Sequence, residues 1–212
     1  MNADDLATED ARTRIAEAIA EAERDTAGEI VVVIAPRCDD YAFVPLAWAA
    51  IIALAVPPLL YAFFWLSPVT IYGAAVATFA VLALILGLWP VRLAVTPRSL
   101  RRKHARRCAR EQFLTQELHT TAGRTGVLIF VALAERYCEI IADTAIAAKV
   151  PAERWQDIVD RLLEEIRAHR GVAGLAAAIA AAGAILAQHF PPGAENPDEL
   201  PDHLIVLPVW PP

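Results

Sequence analysis

From Tyr41 to Val91 the chain carries no Asp, Glu, Lys, Arg or His, a run of 51 residues. A helix of that length reaches about 76 Å at roughly 1.5 Å per residue. A bilayer core of about 30 Å takes roughly 20 helical residues per crossing, so the run allows two crossings and a turn. The turn is written at Leu66-Ser67-Pro68, because proline disfavours helix in the residue before it. Two spans are therefore expected, over residues 43–65 and 69–89. Tyr41 and Trp89 fall at one expected headgroup level, and Tyr61, Phe64, Trp65 and Tyr72 at the other. Pro57-Pro58 predicts a kink in the first span. A hairpin buried in a soluble core is the competing reading, but core helices rarely run this long without a charge.

The flanking charge gives the hairpin a direction. Residues 1–40 hold 4 basic and 11 acidic side chains. Between positions 92 and 110 stand Arg92, Arg98, Arg101, Arg102, Lys103, Arg106, Arg107 and Arg110, with no acid. Basic residues near a span stay on the cytoplasmic side, and the turn near Ser67 has none. The expectation is an inner-membrane protein with two spans, both termini and the soluble domain facing the cytoplasm. The same basic run, Arg92 to Arg110, would meet anionic lipid headgroups. A nucleic-acid partner is not expected, since the chain is acidic overall, at net charge −6, and shows no recognition module. Three cysteines without CxxC pairing read as free thiols in a reducing compartment. The first 29 residues lack the apolar stretch of a signal peptide.

The rest of the chain alternates helix and strand signals. Ala11, Ile15, Ala18, Ile19 and Ala22 fall at helical spacing, with Thr8 to cap the helix and Gly28 to end it. Residues 29–35 (EIVVVIA) are apolar on consecutive positions, the mark of a strand covered on both faces. Residues 99–118 read as a basic helix, and residues 127–132 and 137–142 as two strands joined in a hairpin. Trp155, Ile158, Val159, Leu162, Leu163 and Ile166 form one helical face after Pro151, with Gly171 as the expected stop. Residues 172–188 could form a third span. Their small residues favour a helix packed on the sheet, with Leu175, Ile179, Ala182 and Leu186 inward. Residues 190–212, rich in proline, read mostly as tail.

These signals predict a three-layer α/β/α sandwich with a small mixed sheet. The division is 1–40 for the first part of the α/β domain, 41–91 for an inserted transmembrane hairpin, 92–207 for the remainder and 208–212 for the tail.

Strong catalytic signatures are missing. There is no phosphate-binding glycine loop, GxSxG, HExxH or GxGxxG. A cysteine phosphatase needs Arg six residues after its nucleophile, where this chain has Val44, Leu114 and Thr144. What remains is carboxylate chemistry. Asp39 and Asp40 follow the first strand, at the end where open α/β sheets place their sites, and Asp143 follows the third. Brought together, they would suit Ca²⁺ or Mg²⁺; apart, they are turn and cap residues. His119 with Thr120 and Thr121 offers a base and hydroxyls, or only a polar loop.

Arg124-Thr125-Gly126-Val127-Leu128-Ile129-Phe130-Val131, followed by Glu135-Arg136-Tyr137-Cys138-Glu139-Ile140-Ile141-Ala142-Asp143, resembles the TPM domain family. The first strand and Asp39-Asp40-Tyr41-Ala42 fit the same pattern. That family takes its name from a thylakoid lumen protein, a photosystem II repair protein and a nicotinic-receptor modulator. The resemblance implies a membrane-tethered α/β/α domain. It also implies acid phosphatase activity and a divalent-cation site, which by position falls on Asp39, Asp40 and Asp143. The chain departs from the commoner arrangement by placing a hairpin in the loop after the first strand. Two functions follow: a membrane-anchored domain with a cation site and weak phosphate-ester hydrolysis, or a non-enzymatic accessory domain that binds other membrane proteins.

Overall fold

A computed structural model describes residues 8–121, 123–192 and 204–208. In chain order the elements are α1 (Glu9–Glu23), β1 (Glu29–Ala35), α2 (Phe43–Phe63), α3 (Pro68–Gly87), α4 (Trp89–Val95) and α5 (Arg98–Thr115). There follow β2 (Gly126–Ala132), β3 (Tyr137–Ala142), the short α6 (Thr144–Ala147), α7 (Ala152–Arg167), α8 (Gly171–His189) and β4 (Leu204–Val206). They form two compact units. Residues 1–38 and 102–212 make a sheet unit, and residues 39–101 a hairpin unit.

The sheet runs β3-β2-β1-β4. β1 is parallel to β2, with Glu29 opposite Gly126 and Ala35 opposite Ala132, and β3 returns antiparallel to β2. All seven residues of β1 are buried, which is what an uninterrupted apolar run requires. Ile30, Val32 and Ile34 point into one core with Ile15 and Ile19 of α1, Trp155 and Leu162 of α7, and Leu175, Ile179 and Leu186 of α8. Val31, Val33 and Ala35 point the other way, onto Ala105 and Ala109 of α5 and Leu118. Each fully buried Val or Ile here contributes about 1.5–3 kcal/mol by leaving water. Both faces are covered, and the mixed sheet follows.

Three local expectations need correction. Gly28 does not end α1, which stops at Glu23. There the Glu23 carboxylate turns forward to accept the Ile30 amide. Gly28 is small for another reason: a Cβ there would lie 2.8 Å from Leu186 Cδ1. Gly171 does not end α7 either. His169 turns the chain at φ 60°, and Gly171 opens α8. Finally, Leu204–Val206, within the stretch read as mostly tail, is a strand. Leu204–Val206 pairs in parallel with Val32–Ile34 as the edge strand β4, and the Leu207 amide donates to Ile34 O at 2.8 Å.

In the hairpin unit, α2 runs unbroken through Pro57 and Pro58. Ser67 caps α3, its hydroxyl oxygen accepting the Thr70 amide at 3.3 Å, with Pro68 in the first turn. The two helices pack along each other, and their outer surfaces are exposed and apolar, Phe43, Leu54, Leu84 and Val69 among them. At the base, the Arg92 guanidinium donates to Asp40 O at 3.0 Å and Gly87 O at 2.8 Å. It thereby ties the start of the unit to the end of α3. Among the described residues, α2, α3 and α8 are long and apolar enough to cross a membrane. The four α8 residues expected to face inward are all buried.

Candidate functional site

At the amino end of β1 and β2 the Arg124-Thr125-Gly126 motif builds a closed knot. Arg124 takes φ 53° and its guanidinium donates to His119 O at 2.6 Å. The Thr125 hydroxyl donates to Ala27 O at 2.7 Å, and its amide donates to the Thr121 hydroxyl at 3.1 Å. The Glu29 amide donates to Thr125 O at 3.1 Å, which starts the β1–β2 ladder. Gly126 is forced: a Cβ would stand 2.5 Å from Leu118 O. The Thr120 and Thr121 hydroxyls donate to Glu117 O and Leu118 O, so they serve the loop backbone.

Asp143 belongs to this end. Its amide donates to Gly126 O at 2.9 Å. Its Oδ1 accepts the Thr144 amide at 2.6 Å as the cap of α6. Its Oδ2 lies buried 3.6 Å from the Arg124 guanidinium.

The opposite end of the sheet is held by Glu135, in the turn between β2 and β3, where Arg136 takes φ 52°. Glu135 is buried, and its Oε1 accepts the Cys38 amide at 3.0 Å. The Tyr137 hydroxyl donates to Glu139 Oε2 at 2.8 Å, and Arg106 of α5 pairs with Glu139 at 3.5 Å. Burial first, and then the bond to Glu139, pushes the Tyr137 phenol well above its ordinary range. The residues that carry the sequence resemblance are thus the two clasps of the sheet.

Of the carboxylates expected to hold a cation, Asp39 and Asp40 belong to the hairpin unit and Asp143 to the sheet unit. Cys38 is fixed at the carboxyl end of β1, and Asp39 is the next residue. Asp143 is fixed at the amino end, and a seven-residue strand separates the ends by about 20 Å. Asp39 Oδ1 accepts the Tyr41 amide at 3.0 Å and Asp40 Oδ1 the Ala42 amide at 2.9 Å, each closing a turn ahead of α2. Ca²⁺ takes six to eight oxygen ligands (about 2.3–2.6 Å) and Mg²⁺ a near-ideal octahedron. Among the described residues no group of three or more His, Cys, Asp and Glu converges as a metal site.

Sequence reasoning missed a pair of thiols. Cys38, three residues beyond β1, and Cys108 of α5 pack against the same face of the sheet, and the Cys38 thiol is hydrogen-bonded to Cys108. That bond stabilises a thiolate at Cys108 and lowers its pKa, against burial and the charges of Glu111 and Glu135. Cys38 is pushed far up, by holding the shared proton, by burial and by Glu135. Cys138 is buried in the other core, and burial pushes its thiol up to about 12. Seventy positions separate Cys38 from Cys108, so no local pattern could announce the pair.

Residues 91–185 match the family model described as TPM domain. Among solved structures, the chain is similar to the NMR structure of BA42 protein from the psychrophilic bacterium Bizionia argentinensis. The two share 19% identity over 94% of each chain, with a TM-score of 0.60, a likeness of fold. A search of curated proteins gives no match.

Proposed function

We propose that this chain, a TPM-domain protein through residues 91–185, is a membrane-anchored accessory module without catalytic chemistry of its own. In this reading α2 and α3 are the two spans, both termini stay in the cytoplasm, and α5 meets anionic headgroups. The observation that carries it is the joining of two charge-free helices to a helix of opposite character. Arg98, Arg102, Lys103, Arg106, Arg107 and Arg110 are all exposed on α5. Each basic side chain near an anionic surface is worth about 1 kcal/mol. Three of them acting together favour an anionic over a neutral bilayer by roughly two orders of magnitude. Other membrane proteins are the class of partner such a module would serve.

The test uses the full chain in nanodiscs of phosphatidylglycerol or phosphatidylcholine, followed by hydrogen exchange. Protection of α5 is expected only in the anionic discs, falling with added salt and lost in the triple variant Arg102→Gln, Lys103→Gln, Arg110→Gln. Equal exchange in both lipids removes the proposed role of α5.

Metal-assisted phosphate-ester hydrolysis is the competing reading, supported by the family likeness and by the buried Asp143 carboxylate. On the accessory reading, neither Ca²⁺ nor Mg²⁺ raises the melting midpoint. A rise that disappears in Asp143→Asn, together with ester turnover lost in the same variant, would restore the enzymatic reading.

A further inference from the structure

We propose that Cys38 and Cys108 form a two-thiol site which a hydroperoxide converts into an intramolecular disulfide. Three features of the sheet unit place the thiols together. Cys108 lies beside Ala105 and Ala109, the fully buried residues that seat α5 on the sheet. Cys38 is held by its backbone, through the bond from its amide to Glu135. The two side chains meet over the same core face and share a hydrogen bond. Both thiols are free and part-exposed, whereas Cys138 is buried and serves as an internal control.

The chemistry follows from which sulfur keeps the proton. Cys108, as the acceptor, is the thiol that gives up its proton more readily, and its thiolate is the nucleophile. Its sulfur attacks the peroxide, an S–O bond forms as the O–O bond breaks, and hydroxide leaves. The sulfur is oxidised by two electrons to the sulfenic acid and the peroxide is reduced. Cys38 then releases its proton and attacks the sulfenic sulfur. An S–S bond forms, the S–O bond breaks, and the departing hydroxide takes up the proton as water. In sum, two thiols and one hydrogen peroxide give one disulfide and two waters. The disulfide would bridge residue 38, the last residue of the sheet unit before the hairpin, to the helix on which the chain returns.

The full chain, purified in detergent, is exposed to hydrogen peroxide, alkylated, digested without reductant and mapped by mass spectrometry. A Cys38–Cys108 linked peptide is expected, two hydrogens lighter than its reduced parts and released by a phosphine. Cys138 becomes alkylated only after unfolding. In Cys38→Ser the sulfenic acid has no resolving partner, and a 1,3-dione should capture it on Cys108. The site is overturned if the wild-type chain keeps both thiols at peroxide doses that oxidise glutathione. It is equally overturned if the linkage runs through Cys138 or between chains. The wild-type map decides the matter even where a variant folds poorly.

Discussion

Helix α8 and the pair α2 and α3 are alike in length and apolar composition, yet they bury that surface differently. In the most apolar stretch of α8, 44% of residues are buried, against 17% in α2 and 6% in α3. Close approach separates them in the same way. A Cβ at Gly174 would lie 2.6 Å from Glu165 Cβ, and one at Gly183 2.7 Å from Ala22 Cβ; at Gly73 and Gly87 it would meet nothing within 4 Å. Apolar content alone therefore does not distinguish a core helix from one that leaves its apolar surface exposed. The distinction lies in small residues placed where a neighbour must come near, and in whether an inward stripe exists. α8 has such a stripe, in Leu175, Ile179, Ala182 and Leu186.

The sharpest way to break this contrast is to remove equal side chains from both. Leu175→Ala in α8 leaves a cavity in the core and should cost about 2–5 kcal/mol, seen in chemical denaturation of the purified protein. Leu84→Ala, exposed on α3, should leave the sheet unit's midpoint where it was. Equal losses would show that α8 is not a core element. A smaller effect is expected from added volume. Gly183→Ala forces Ala22 aside and should destabilise by about 1–3 kcal/mol, while Gly73→Ala gains helix propensity, up to about 1 kcal/mol, and meets no neighbour.

Much of this was legible in the chain. The charge-free run, the turn at Ser67-Pro68, the limits of β1 and β3 and the inward face of α8 all rest on local periodicity, and all lie within single segments. β4 was not legible. Three residues, Leu204–Val206, form a strand only because β1 offers an open edge. Nor was the candidate site. Asp39, Asp40 and Asp143 look alike in sequence, but the antiparallel return of β3 along β2 takes Asp143 to the amino end of β1 and β2. Cys38 and Cys108 look unrelated, and the packing of α5 brings them together. Chemistry that depends on register or on a long loop has no signature in local spacing.

The cysteines extend the contrast between buried and accessible groups to a still smaller energy. Alkylation of Cys108 should reach half its limiting rate at a pH below that of an ordinary thiol, about 8.5. The charged and titratable groups around it are Cys38, Glu111 and Glu135. Replacing Cys38 by Ser leaves a hydroxyl donor and should keep part of that advantage; Cys38→Ala should abolish it. Cys138 behaves oppositely. Its thiol is raised to about 12 in the folded chain, above the unfolded value of about 8.5. Its contribution is therefore whole below pH ~8.5 and is lost as pH climbs towards 12. Stability in urea should decline across that alkaline window, and less so in Cys138→Ala.

Lipid contact distinguishes the three apolar helices most directly. The full chain is reconstituted with a lipid carrying a photoactivatable diazirine in its acyl chain, irradiated and mapped by mass spectrometry. Labels are expected on both helices of the hairpin, at outward positions such as Leu54 and Leu84, and none on the inward stripe of α8. An unlabelled hairpin, or labels on Leu175, Ile179 and Leu186 as dense as those on α3, would contradict a two-span anchor with α8 held out of the acyl chains.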